Sequence, residues 1–150
     1  MKILKEKAVR YGLKIEHTEN FNRANIASTQ DASDYARQFY FDDMEIFESF
    51  FLILLNNANS VTGYVKISQG GTAGTVVDVK LIAKYAIDSL AKSVILVHNH
   101  PSGNILPSDA DKLVTRKVTE GLRLLDIDVL DHIILSKTRY FSFADEGLIL

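Results

Sequence analysis

The stretch "SVILVHNHPSGNILPSDAD", residues 93–111, decides how this chain reads. Its first part, from Ser93 to His98, is a short apolar run rich in β-branched residues, the pattern of a buried strand. Alternate side chains of a strand share a face, so His98 and His100 project from one side and Asn99 from the other. The loop "PSGNILP" then reverses the chain, with Gly103 permitting a tight turn and a proline at each end stiffening it. Beyond the loop, "SDADKLVTRKVTEGLRLLDI" carries Leu113, Val114, Val118, Leu122 and Leu125 at helical spacing. If Ser108 caps that helix, Asp111 occupies its third position, where its carboxylate can face the loop.

Two imidazoles and a carboxylate at one strand end form a three-ligand set for zinc, with the fourth tetrahedral position left open for water. Zinc held in this way lowers the pKa of its water to about 7 and makes hydroxide available at neutral pH. Taken alone, Ser-x-x-Asp before an apolar periodic run is an ordinary capping pattern, and a single histidine at a strand end is an ordinary surface residue. It is the combination, His-x-His followed after seven residues by Ser-x-x-Asp, that points to a site.

Towards the N-terminus, "VVDVKLIAKYAIDSLAK" places Val79, Ile82, Ala83, Ala86, Ile87 and Leu90 along the stripe of an amphipathic helix. "ESFFLILLNNANSVTGYVKIS" reads as a β-hairpin around an Asn-rich turn, and its first strand, apolar on both faces, belongs inside a sheet. "QGGTAG" is a loop that lacks the Gly-Lys-Ser/Thr ending of a phosphate-binding loop, and Gly70 to Gly74 are placed to wall the site. "STQDASDYARQFYFDD" predicts a short helix capped by Ser28 or Thr29. Ahead of it, "KAVRYGLKIEH" reads as a weak edge strand. Towards the C-terminus, "VLDHIILS" and "RYFSFAD" are two strands. Leu130, His132 and Ile134 share a face in the first, so His132 reads as a buried, satisfied histidine in preference to one that serves the site. The order helix, two strands, helix, strand, helix, two strands predicts an α/β (α+β) sandwich with a mixed sheet.

With 150 residues and 47% apolar composition, the chain suits one domain with a proper core. The absence of cysteine excludes disulfides, thiolate metal sites and Cys nucleophiles. A net charge of −2 argues against a protein whose main task is to neutralise nucleic-acid phosphates. Lys112, Arg116 and Arg123 make either a local basic patch or an ordinary solvated helix face. No apolar run reaches the roughly 18 residues of a membrane span and no signal peptide is visible, so the expected location is the cytoplasm.

The spacing His98-x-His100, seven residues, Ser108-x-x-Asp111 matches the JAMM motif of the JAB/MPN metalloprotease superfamily. The wider text, "LILLNNANSVTGYVKISQGGTAGTVVD" and "SVILVHNHPSGNILPSDADKLVTRKVTEGLRLLDIDVLDHIIL", resembles its RadC branch over residues 45–150. The resemblance implies an MPN/cytidine-deaminase-like mixed sheet sandwiched by helices. It divides the chain into an N-terminal extension, 1–40, holding a short strand and helix, and a RadC-like JAB/MPN domain, 41–150. It further implies that His98, His100 and Asp111 ligate Zn²⁺. Glu48, two positions before an aromatic residue, would be the general base, with Glu45 in reserve, and Ser108 would hydrogen-bond the substrate carbonyl. The implied reaction is hydrolysis of an amide, peptide or isopeptide bond. The alternative is a non-catalytic binding module of the same fold, acting at DNA or in a protein assembly. Residues 1–25 do not resemble the helix-hairpin-helix region that many RadC-like proteins carry, and a link to DNA repair comes from the family name alone. The unpaired edges of a mixed sheet make a homodimer an open expectation. Two look-alikes fall away. The letters "HNH" are accidental, and zinc deaminases need cysteines that this chain lacks.

Overall fold

The computed structural model describes residues 23–71 and 74–149, so the strand expected within residues 7–17 lies outside the described residues. Helix α1 spans Thr29–Arg37, strands β1 and β2 span Ser49–Leu55 and Val61–Gln69, and helix α2 spans Val79–Asp88. Strand β3 (Ser93–Asn99), helix α3 (Asp109–Arg123) and strands β4 (Asp128–Leu135) and β5 (Tyr140–Ser142) follow. This is the alternation that the sequence predicts. Ser28 is the N-cap of α1, its side chain accepting from the Asp31 N–H. The turn between β1 and β2 is held by Asn56, whose side-chain oxygen accepts from the N–H groups of Ala58 and Ser60, while Asn59 takes a positive φ of 55°.

The five strands form one mixed sheet in the order β2-β1-β3-β4-β5. β1 lies between β2 and β3, antiparallel to both, as its two apolar faces require. β3 and β4 are parallel, with α3 as their crossover, and β5 returns antiparallel to β4. The side-chain period of two sorts the core into two layers. Phe51, Ile53, Leu55, Ile95, Val97, Ile133 and Leu135 face α1, where they meet Ala32, Tyr35 and Ala36. Phe50, Leu52, Leu54, Val94 and Leu96 face α2 and α3, meeting Ile82, Ala86, Val118 and Leu122. Helices therefore cover both faces, and the fold is a mixed sheet sandwiched by helices, as JAB/MPN domains are. No helix among the described residues is long and apolar enough to cross a membrane.

The structure narrows three details of the periodicity. In α2 only Ile82 and Ala86 are buried, and Ile87 and Leu90 face solvent. In α3 Leu113 and Leu125 are exposed, while Thr115 and Thr119 are buried between the apolar positions. In β4, Val94 pairs with Val129 but Ile95 with Asp131, so Leu130 is an extra residue in a bulge and does not share the buried face of His132. The bulge turns Asp131 inward. Its carboxylate accepts from the Ser142 hydroxyl and from the N–H groups of His132 and Ala144, which ties the end of β5 to the sheet.

Candidate metal centre

The register of β1 against β3 builds the site. Phe50 pairs with His98 at the end of the two strands, and Glu48 and His100, just beyond that pair, line one cleft with them beside α3. The backbone of Glu48 is still in the ladder, its carbonyl accepting from the Gly70 N–H at 2.9 Å. The Pro101–Pro107 loop then delivers the start of α3 to the same strand end. There Ser108 and Asp111 form a capping box: the Ser108 side chain accepts from the Asp111 N–H, and Asp111 Oδ2 accepts from the Ser108 N–H at 2.8 Å.

The capping and metal readings of Ser-x-x-Asp thus coexist in one carboxylate. While Oδ2 serves the cap, Oδ1 lies 3.1 Å from His98 Nε2. His98 Nε2 is 3.0 Å from His100 Nε2, which is 3.3 Å from Asp111 Oδ2. A tetrahedral ion with bonds of about 2.0–2.1 Å needs ligand atoms separated by about 3.3–3.4 Å. The spacing and the nitrogen and oxygen donors therefore fit a zinc-sized ion, and His98, His100 and Asp111 are the residues able to hold one.

Electrostatics follow this geometry. Burial alone would raise the Asp111 carboxyl, but its contacts with the His100 and then the His98 imidazole hold it well below the usual carboxylate range. Burial pulls His100 down, yet the Asp111 carboxylate and the Asn104 carbonyl more than offset this and leave it raised. His100 Nδ1 lies 2.6 Å from the Asn104 carbonyl, which can only accept, so Nδ1 carries a proton, and in the neutral imidazole Nε2 is the nitrogen whose lone pair an ion would take.

The remaining residues named from the sequence sort cleanly. Glu48 is half-buried and lines a cleft of about 710 Å³ with His98, His100, Ser108 and Asp111, walled by Gly74 to Val77 on one side and by Leu113 and Val114 on the other. Glu45 is exposed, pairs with Lys137 at 3.1 Å and lines a different groove beyond His100. Lys112, Arg116 and Arg123 line a separate groove along α3, in which Glu120 also takes part.

Two residues outside the motif complete the surroundings. His132 is fully buried under His98, a satisfied histidine as expected, but its partner is the metal site itself: His132 Nε2 lies 2.8 Å from His98 Nδ1. Burial, then the neighbouring His98, keeps its imidazole neutral by pushing its pKa well down. Asn99 projects to the opposite face, as parity requires, and clamps the segment that carries Glu48. Its amide donates to the carbonyls of Met44 and Phe47 at 2.7 and 2.8 Å, and its oxygen accepts from the Ser49 N–H at 2.8 Å. The signal for this was present in the strict alternation around Asn99, a polar residue aimed into an otherwise apolar layer. Asn99→Leu is expected to leave those groups unpaired and to lower stability by about 2–4 kcal/mol, read by urea denaturation, with His98, His100 and Asp111 unchanged. A change under about 0.5 kcal/mol would show that the clamp is dispensable.

A mixed sheet with a His-x-His strand end, an acidic helix start and a facing glutamate defines a JAB-type domain with a candidate mononuclear metal centre. Residues 26–148 match the family of RadC-like JAB domains, and the chain belongs to that family. It is 46% identical over 101 residues to a UPF0758 protein of Flavobacterium johnsoniae, covering 67% of this chain and 44% of that protein. It is 35% identical over 136 residues to a UPF0758 protein of Chlorobium luteolum, covering 91% of this chain and 60% of the relative. A further relative, from Coprothermobacter proteolyticus, is 37% identical over 145 residues, covering 95% and 61%. The chain thus spans about half to three-fifths of the length of these relatives.

Proposed function

We propose that this chain is a zinc-dependent hydrolase that cleaves an amide, peptide or isopeptide bond with Glu48 as general base. The observation that carries the reading is the convergence of three ligand atoms 3.0–3.3 Å apart beside a glutamate in one open cleft. A zinc ion held by His98, His100 and Asp111 supplies a Lewis acid and a water acidified to near neutrality. Glu48 takes a proton from the attacking water as its oxygen bonds to the substrate carbonyl carbon. The carboxyl then passes that proton to the amide nitrogen as the C–N bond breaks, which releases an amine and a carboxylic acid that gives its remaining proton to solvent. Among the described residues no hydrogen bond or ion pair holds the Glu48 carboxylate, so none has to be broken first.

Ser108 can serve the substrate without giving up the helix. Its cap uses an oxygen lone pair, so the hydroxyl proton is free to donate to the carbonyl oxygen as charge develops there. Ser108→Ala is expected to lower stability by about 1 kcal/mol through the lost cap and kcat by about 10²-fold. An unchanged kcat with the same stability loss would leave Ser108 a cap only.

The cleft walls of Val76, Val77, Leu113 and Val114 suit a substrate with an apolar side chain beside the scissile bond. A cytoplasmic location is part of this proposal, since a chain without cysteine does not depend on an oxidising compartment. The test is a screen of peptide and isopeptide substrates with zinc-loaded protein. Turnover that chelation stops and zinc restores is the expected result. One bound zinc per chain with no turnover on any amide would favour the binding-module reading instead.

A further inference from the structure

Beneath the candidate metal centre runs a line of hydrogen bonds that ends in the backbone of the ligand-bearing helix. Thr115 Oγ1 lies 2.6 Å from the Asp111 carbonyl oxygen and 2.6 Å from His132 Nδ1, and His132 Nε2 lies 2.8 Å from His98 Nδ1. The direction of every proton in this line follows from its far end. A carbonyl oxygen can only accept, so the contact with Asp111 takes the one proton of the Thr115 hydroxyl. The second contact of that hydroxyl must then be accepted by its oxygen, which puts a proton on His132 Nδ1. A neutral imidazole carries one N–H, so His132 Nε2 is a bare lone pair and accepts from His98 Nδ1–H. In the neutral ring His98 Nε2 is then the bare nitrogen, on the side of His100 and Asp111, where an ion between them would take its lone pair.

We propose that His132, set by Thr115, is a positioning residue for the metal: it holds His98 in the Nδ1-protonated tautomer and in the ring orientation that present Nε2 to the ion. The stacking around the line supports the second part. The His98 ring lies nearly parallel to Phe50, at 11° and 5.7 Å, and the His132 ring nearly parallel to Phe143, at 19° and 4.7 Å, so neither imidazole is free to flip without displacing a buried aromatic ring. The opposite polarity, with Thr115 donating to His132, would send a proton to His98 Nε2 and block ligation. The line also couples the two parts of the site, because the carbonyl that orients Thr115 belongs to Asp111, itself a candidate ligand. Metal ligands oriented through the other ring nitrogen in this manner lose affinity when the partner is removed.

The inference rests on the metal-binding half of the function proposed above and not on Glu48 as base. The test measures zinc affinity by competition with a chromophoric chelator in wild type, His132→Leu and His132→Gln, together with two-bond 1H–15N spectra of histidine-labelled, zinc-loaded wild type. Leucine removes the acceptor, while glutamine places an oxygen acceptor near the position of Nε2. The expected result is zinc affinity reduced about 10–100-fold in His132→Leu, most of it restored in His132→Gln, and His132 in the Nδ1–H tautomer. Four histidines make the spectrum assignable by single variants. Native affinity in His132→Leu, an equal loss in His132→Gln, or an Nε2–H tautomer at His132 would each overturn the proposal. If His132→Leu does not fold, Thr115→Val, which removes the hydroxyl that accepts from His132 and donates to the Asp111 carbonyl, must lower affinity in the same direction for the proposal to stand. Failure of wild type to bind zinc at all would instead overturn the metal centre itself.

Discussion

Glu48→Gln is expected to abolish hydrolysis while leaving the zinc content and the unfolding midpoint of the protein unchanged. Loss of a positioned general base removes about 10²–10⁴-fold in rate. Glutamine has nearly the same shape but cannot take a proton from water, so the substitution isolates the chemistry from the packing. The fold has little at stake at this position. The Glu48 side chain faces the cleft, and its structural contact is the backbone bond to Gly70, which the substitution keeps. Stability should therefore stay within about 0.5 kcal/mol of wild type. Kinetics on any substrate that passes the amide screen, with zinc analysis of the same preparations, would decide the matter. If zinc leaves with the carboxylate, Glu48 is a ligand and the base must be sought elsewhere. If turnover persists with zinc bound, the glutamate facing His100 has no part in proton transfer, and Glu45, held away by Lys137, is not placed to replace it.

His98→Ala should show the second large effect. Wild type purified without chelator is expected to carry about one zinc per chain and the variant none, because the substitution removes a candidate ligand and the ring that contacts His132. The same pair of proteins gives a readout independent of any substrate. Free zinc at about 100 times its dissociation constant stabilises a native state that binds it by about 2.7 kcal/mol. For a chain of this size that corresponds to about 5–10 °C in the unfolding midpoint. Wild type should show the shift on adding zinc and lose it with EDTA, whereas His98→Ala should be indifferent to both. A zinc-dependent shift of the same size in the variant would mean that the stabilising ion binds somewhere other than His98, His100 and Asp111.

The order of elements, the mixed sheet and the grouping of His98, His100 and Asp111 were all legible in the residues. Local chemistry suffices for each: a β-branched run between breakers, an Asn-rich turn, a Ser-x-x-Asp helix start, and a period of two that sets His98 and His100 on one side. Glu48 was legible only through family resemblance, since nothing local distinguishes it from Glu45. Separation of the two depends on the pairing of Phe50 with His98, a contact between residues 48 positions apart. His132 was read correctly as buried but without its partner. The bulge at Leu130 offsets its strand from the simple alternation, and no single-strand pattern can reveal which side chain a neighbouring strand places opposite.

The sequence by itself determined which chemical groups this protein has and the face of its own element on which each one lies, because helical and strand periodicities are properties of the chain alone. Only the tertiary structure decided which groups meet. The pairing of β1 with β3 brought Glu48 into the cleft of His98 and His100, the packing of α3 on the sheet brought Asp111 to within about 3 Å of both imidazoles, and the parallel pairing of β3 with β4 set His132 behind His98. Those contacts are long-range, and their distances depend on how whole elements pack and not on the residues between them.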